Sequence, residues 1–291
     1  MKLIVTGAGG MVGRAVVHSC TDRGAQVTAM DHSGLDIANE SAIASVFDRE
    51  RPDVLINCAA WTDVDGCQQD PERARLANAL GPELLARACR QHNTLLITIS
   101  TDYVFDGEKK EGFYTQRDQP NPQSVYGATK LDGERRAQNA WARTIVVRSG
   151  YIFGNGGTNF LATFLTRLRR GEQLRVIDDM FGTPTYAEDL VKRLYELALL
   201  DLPGIYHVVN AGDGASFAEF ARAAVEETHL DPNLLTPVSC SSLGLPAPRP
   251  RNSRLRCLVS EAIGLEPVRD WRDALADFAQ RSLTESATAV T

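Results

Sequence analysis

The feature that most constrains this chain lies at its start. Lys2-Leu3-Ile4-Val5-Thr6 is a short apolar run, and it breaks into Gly7-Ala8-Gly9-Gly10-Met11-Val12-Gly13 before an apolar helical pattern continues to about Arg23. Strand, glycine turn and helix in that order let backbone N–H groups approach a pyrophosphate at a helix N-terminus. The glycines stand at Gly7, Gly10 and Gly13, a G-x-x-G-x-x-G spacing rather than G-x-G-x-x-G. A second apolar run, Gln26 to Met30, ends in Asp31, an acid placed to hold adenosine ribose hydroxyls.

Strands and helices alternate through the first half. Apolar strand candidates are Val27–Met30, Val54–Cys58, Leu95–Ile99 and Thr144–Arg148, and helical patterns fall at Ser41–Arg51, Pro71–His92 and Ser124–Asn139. Such alternation predicts an α/β fold with a doubly wound, Rossmann-type parallel sheet covered on both faces. Ligands of such sheets lie at the carboxyl ends of the strands. Asn57-Cys58-Ala59-Ala60 ends one strand, where small side chains admit a flat cofactor or simply pack tightly. After Ser149 the texture is more broken, with helices expected at Asn159–Arg170, Tyr186–Leu200, Phe217–His229 and Trp271–Leu283 and a strand at Ile205–Asn210. We expect a dinucleotide-binding domain over 1–150, with returns near 178–230. A smaller substrate lobe is expected from 151–177 and 231–285, and a frayed tail from 286–291.

Composition narrows the function. The 291 residues carry a net charge of -6, which argues against a general nucleic-acid binder. No apolar stretch is long enough to span a bilayer. Met1 runs straight into the first strand, so no signal peptide is expected. The six cysteines are scattered without a C-x-x-C pair, as expected of reduced thiols in a cytoplasmic protein.

Chemistry enters at Ser100-Thr101-Asp102-Tyr103 and at Tyr126-Gly127-Ala128-Thr129-Lys130. Residues i and i+4 share one helix face, so Tyr126 and Lys130 can point into one site. A neighbouring ammonium favours the phenolate, so Lys130 is expected to lower the Tyr126 pKa. Thr101 follows the Leu95–Ile99 strand, where a catalytic hydroxyl belongs; an ordinary turn hydroxyl is the plainer alternative.

Together these residues resemble the extended short-chain dehydrogenases/reductases, and more narrowly the dTDP-4-dehydrorhamnose reductase family. The likeness rests on the stretches 57–65, 100–107, 126–134, 178–185 and 249–255, and covers nearly the whole chain. It implies reduction of a 4-keto sugar nucleotide by NADPH, with NADH also accepted. Thr101, Tyr126 and Lys130 would be catalytic, with Tyr126 as general acid. The cofactor surface would comprise Gly7, Gly10, Met11, Val12, Gly13, Asp31, Asp36, Ile37, Cys58, Ala59, Ala60, Thr62 and Asn78, with Tyr126 and Lys130. The substrate would meet Thr101, Asp102, Tyr103, Tyr151, Asn159, Phe160, Arg249, Asn252 and Arg254, the arginines holding a diphosphate. Arg14, next to the glycine turn, could reach a 2′-phosphate.

The chain departs from that family at Tyr151, where Trp is usual, at Met180 for Gln, and at Gln68 for Glu. Glu188 matches a position that holds magnesium at a dimer interface in some members, but Arg272 replaces a second acid. We therefore expect no metal. A weak homodimer is the family's usual state, and loss of the metal site leaves a monomer as the alternative. Two rivals remain: an epimerase or dehydratase on the same fold, and a non-catalytic subunit resembling the methionine adenosyltransferase regulatory subunit. Dehydratases usually place Glu where Tyr103 stands, which favours reduction.

Overall fold

The computed structural model describes residues 1–156 and 160–288, with side chains as far as residue 281. Its centre is a six-stranded sheet. Five strands are β1 (Lys2–Thr6), β2 (Gln26–Met30), β3 (Val54–Asn57), β4 (Leu95–Thr101) and β5 (Thr144–Ser149), and Gly204–His207 adds the sixth at one edge. The order runs Gly204–His207, β5, β4, β3, β1, β2, with every pair parallel. All six strands expected from apolar runs are in this sheet.

Alternate residues face opposite sides, which explains why the strands read as continuous apolar runs. Leu3, Val5, Ile56, Leu95 and Ile97 face one buried cluster, which the helix Ala187–Leu200 covers through Leu190, Leu194 and Leu197. Ile4, Leu55 and Leu96 face the other, with Phe47 and Leu85 from the helices Glu40–Glu50 and Gly81–His92.

A third cluster forms the lobe from Phe153, Leu161, Phe164, Phe220, Trp271 and Phe278. The helix Phe217–Glu227 packs here rather than on the sheet, whereas Cys257, Val259 and Leu265 pack back against the sheet cluster. The chain after residue 150 thus crosses between the two bodies several times. The last helix runs Trp271–Thr288, past the end expected at Leu283, and the remainder of the expected tail, 289–291, lies outside the described residues.

One helix differs from its sequence pattern. The single helix expected over Pro71–His92 is α-helical at Pro71–Arg75 and Gly81–His92, with a π-helical turn at Leu76–Leu80 between them. Pro82 has no N–H for the Asn78 carbonyl four residues earlier, so regular helix is interrupted there. Gly133 of the neighbouring helix Val125–Ala140 fits against that carbonyl; a Cβ on Gly133 would sit 2.1 Å from it.

Candidate active site

The order of the sheet reverses between β1 and β3, and ligands of open parallel sheets bind where it does so. Here the glycine turn leaves β1. Gly7 has φ +67°, and a Cβ on it would meet Ala59 N and Cys58 C at 2.6 Å. Gly13 packs its Cα onto the Gly7 carbonyl, where a Cβ would lie at 2.2 Å. The helix Met11–Asp22 (α1) starts at Gly10 with no side-chain cap, leaving its first turn to line the cleft. A cradle of this kind suits an anion approached by backbone N–H groups.

The strand ends are braced from side to side. Thr6 Oγ1 donates to Asn57 Oδ1 at 2.7 Å, and Asn57 Nδ2 donates to Thr98 Oγ1 at 3.1 Å. Asn57 Oδ1 also accepts from Ala59 N. Asn57 therefore fixes the loop that follows rather than facing a ligand. Asn78 does similar work: Oδ1 accepts from Trp61 N at 2.8 Å and Nδ2 donates to Trp61 O at 2.9 Å. The π-turn carries this side chain to the loop, so Asn78, expected in the cofactor surface, ties the Trp61 loop and is not in the cleft wall.

Thr101 is the last residue of β4. Its Oγ1 donates to Asp102 Oδ1 at 3.0 Å and accepts from Tyr103 N at 3.1 Å. The helix Val125–Ala140 starts opposite, with Ser124 as N-cap and Gln68 Oε1 accepting from Val125 N at 3.2 Å. Gln68 thus anchors the start of this helix. Gly127 lets this helix approach closely, since a Cβ would stand 2.2 Å from Tyr103 O. The Tyr103 and Tyr126 rings then meet edge to face at 5.9 Å between centroids.

Lys130 is buried, and its Nζ donates to Ile99 O at 2.7 Å. Burial lowers its pKa to about 8, against the smaller opposing pull of Glu134. Glu134 is itself clamped by Arg148 (Nη2–Oε2 2.7 Å) and by the Ser100 hydroxyl. Burial pushes the Tyr126 phenol well above its ordinary value, and the opposing influence is the Thr101 hydroxyl, not Lys130. This corrects the expectation that Lys130 lowers it: Lys130 is not among the groups acting on the phenol, and burial penalises the phenolate. The phenol therefore stays protonated near neutral pH.

These groups share a cleft of about 840 Å³. Gly7, Gly10, Met11, Val12, Gly13, Cys58, Ala60 and Thr62 line one end, and Thr101, Asp102, Tyr103, Tyr126, Lys130, Tyr151 and Phe160 line the rest. Arg14, Gly150 and Phe217 also line it. Phe217 is stacked on Tyr151 with centroids 4.1 Å apart, so the lobe closes one wall with a paired aromatic surface. Nothing in its local sequence marks Phe217, because its place depends on folding of the lobe. Asn159 lies outside the described residues.

Other expected site residues do not line the cleft. Ile37 is core, packed against Gly81, and Asp36 caps its own turn through Ala38 N. Asp31 sits beside Gly9, with its carboxylate accepting from Ser33 Oγ and Gly34 N. Arg249, expected to hold a diphosphate, instead grips Asp65 with two bonds of 2.9 and 2.7 Å. Arg254 donates to Asn252 Oδ1 and Asp213 O and lies over Phe113 and Phe181. Asn252 is buried and ties down Lys109 O and Gly112 O. In each case a protein partner within reach satisfies the polar group. Met180 is buried, so its departure from the family is taken up by packing. Glu188 is paired with Arg281, and among the described residues no three His, Cys, Asp or Glu side chains gather as a metal site.

A doubly wound parallel sheet with a glycine turn at its switch point, and a threonine, tyrosine and lysine converging at the neighbouring strand ends, defines an extended short-chain dehydrogenase/reductase. Within that class the chain belongs to the family described as the RmlD substrate binding domain, whose model matches residues 1–284. It is 40% identical over 279 residues to a dTDP-4-dehydrorhamnose reductase of Mycolicibacterium smegmatis, covering 95% of this chain and 84% of that protein. It is 36% identical to a probable dTDP-4,6-dihydroxy-2-methyloxan-3-one 4-ketoreductase of Streptomyces antibioticus, over 95% and 94% of the two chains. Its fold matches the crystal structure of dTDP-4-dehydrorhamnose reductase from Bacillus anthracis in complex with NADP, with a TM-score of 0.92 and 32% identity. That match covers 95% of this chain and 98% of the other.

Proposed function

We propose that the protein reduces the 4-keto group of dTDP-4-dehydro-6-deoxy-L-mannose to give dTDP-L-rhamnose, using NADPH and accepting NADH. The observation that carries this reading is the convergence of Thr101, Tyr126 and Lys130 in the cleft whose other end is the glycine cradle. The family and its reductase relatives support it.

A bound dihydronicotinamide supplies the hydride to the keto carbon. Negative charge then grows on the carbonyl oxygen, and Tyr126 donates its proton there, an effect worth about 10²–10⁴-fold. Lys130 has three donors, of which Ile99 O takes one, leaving two for the phenol and a ribose hydroxyl. Thr101 orients the carbonyl oxygen. The first turn of α1 holds the pyrophosphate, and Arg14 at its rim favours a 2′-phosphate. Tyr103, Tyr151, Phe160 and Phe217 give the sugar an aromatic wall. We assign the activity to the cytoplasm, in keeping with six free cysteines. No helix of the described residues is long and apolar enough to cross a membrane.

The test is an assay with dTDP-4-keto-6-deoxy-L-mannose made in place, following loss of the 340 nm absorbance of NADPH. One NADPH oxidised per sugar reduced is the expected result. Product formed without net oxidation would mean an epimerase or dehydratase. Capture of a partner enzyme with no turnover on any keto sugar nucleotide would mean a regulatory subunit.

A further inference from the structure

Among the described residues Asp102 is the one carboxyl in the wall of the cleft, and only 3% of its surface is exposed. Its two oxygens have different partners: Oδ1 accepts from Thr101 Oγ1 at 3.0 Å, and Oδ2 accepts from Ser253 Oγ. Gly150 lies against it, where any Cβ would meet the carboxyl carbon at 2.4 Å. The carboxyl is therefore fixed from three segments: the end of β4, the loop after β5, and the stretch around Ser253.

The Thr101 hydroxyl has one proton to give and two lone pairs to accept with. One lone pair takes Tyr103 N, and the proton goes to Asp102. A ketone oxygen only accepts. Thr101 cannot serve it while its proton is committed to a carboxylate, since an ionised acceptor outcompetes a neutral carbonyl.

We propose that Asp102 is a positioning residue whose own proton decides where the Thr101 proton points. Ionised, Asp102 holds that proton. Protonated, it donates through Oδ1 to the second lone pair of Thr101 Oγ1, and Thr101 turns its proton to the keto oxygen. The count then closes once the keto oxygen draws the Tyr126 phenol away from Thr101: Thr101 accepts from Tyr103 N and Asp102 and donates to the ketone, while Oδ2 still accepts from Ser253. The inference rests on the reductase reading for the identity of the ketone, but the Thr101–Asp102–Ser253 arrangement does not depend on it.

The surroundings favour the neutral acid. The titratable groups facing it are the phenols of Tyr103, Tyr126 and Tyr151, all of which Asp102 perturbs. The cations of the neighbouring elements are held elsewhere: Lys130 by Ile99 O, Arg148 by Glu134 and Arg249 by Asp65. Burial raises the Asp102 pKa to about 6, with the Ser253 and Thr101 hydroxyls and the backbone N–H groups of Asp102 and Tyr103 pulling less strongly the other way. The acid is neutral below that value, so the Thr101 contribution is present there and is lost as pH rises through it.

The test compares the pH profile of kcat/KM for the wild type and Asp102→Asn. The asparagine amide is a permanent donor toward Thr101 with its carbonyl left for Ser253. Wild-type kcat/KM is expected to fall roughly tenfold per pH unit above a point near 6. Asp102→Asn should lose that limb, so its activity relative to its own acid plateau exceeds the wild type's at least tenfold at pH 8. Asp102→Ala, with no donor at all, should be depressed at every pH. Parallel profiles for wild type and Asp102→Asn would overturn the proposal. A readout without turnover uses the wild-type-minus-Asp102→Asn infrared difference spectrum of the NADPH-bound protein. A protonated carboxyl band persisting to about pH 6, and to higher pH in Ser253→Ala, is expected; a carboxyl fully ionised by pH 4.5 overturns the idea. If the wild type reduces no keto sugar nucleotide, the reductase reading fails, while the infrared titration still decides the role of Asp102.

Discussion

The sheet side of the cleft and the segment that braces it from behind Asp102 are held by different means. The sheet side is fixed by backbone against backbone: Gly7 on Ala59 and Cys58, Gly13 on Gly7, Gly127 on Tyr103, Gly133 on Asn78. The segment Arg249–Leu255 has backbone bonds to Tyr114 and Phe181 and adds to them side chains reaching across the chain: Arg249 to Asp65, Asn252 to Lys109 O and Gly112 O, Ser253 to Asp102. Backbone contacts tolerate no added carbon, whereas a side-chain tie can be cut and leave the fold standing. The sheet side should therefore fail through chemistry or folding, and the segment through loosened substrate binding.

The largest expected effect is on the sheet side. Tyr126→Phe keeps the ring that meets Tyr103 and removes the proton bound for the carbonyl oxygen. In stopped-flow single turnover its rate should fall by about two to four decades, with NADPH affinity changed little. Near-normal turnover with chemistry rate-limiting would show that the proton comes from another group.

Next is Gly13→Ala. The new Cβ would lie 2.2 Å from the Gly7 carbonyl, and that contact is with backbone that must move. We expect thermal denaturation to report a loss of about 1–3 kcal/mol, the usual cost of overpacking. NADPH affinity by fluorescence titration should drop tenfold or more, because the displaced turn is the pyrophosphate cradle. Unchanged NADPH affinity would mean that the turn does not position the cofactor.

This contrast also explains what could be read from sequence. The six strands and the spacing of Thr101, Tyr126 and Lys130 were legible because each depends on a few consecutive residues: an apolar run, a glycine turn, one turn of helix. The roles of Arg249, Asn252 and Arg254 were not, because their partners lie far away in the chain, as Asp65 does from Arg249. Spacing marks such residues without saying whom they touch. Burial misled in another way at Tyr126, where proximity of a lysine suggests a lowered pKa and the depth of the pocket reverses it. The π-turn at Leu76–Leu80 was hidden because its cause, Pro82, stands in the first turn of the next helical segment, where proline is unremarkable.

The smallest expected effect bears on the Arg249–Asp65 pair. It is bidentate and partly buried, and Asp65 Oδ1 also accepts from Ala247 N. The arginine neighbour holds the Asp65 carboxyl below its usual range. If the pair serves to keep the segment against the cleft, Asp65→Asn and Arg249→Met cut the same tie. Each should raise the sugar-nucleotide KM a few-fold with kcat nearly unchanged, and the double variant should be no worse than either single, the sign of two residues acting as one unit. If Arg249 instead leaves Asp65 to bind the diphosphate, the outcomes separate. Arg249→Met alone then raises KM by tenfold or more, while Asp65→Asn, which frees the guanidinium, leaves KM unchanged or lowers it. The structure favours the first result, because releasing Arg249 would forfeit two charge-assisted bonds before any are made to phosphate. Steady-state KM values for the four proteins in this cycle decide between a tie that holds the segment and a ligand contact.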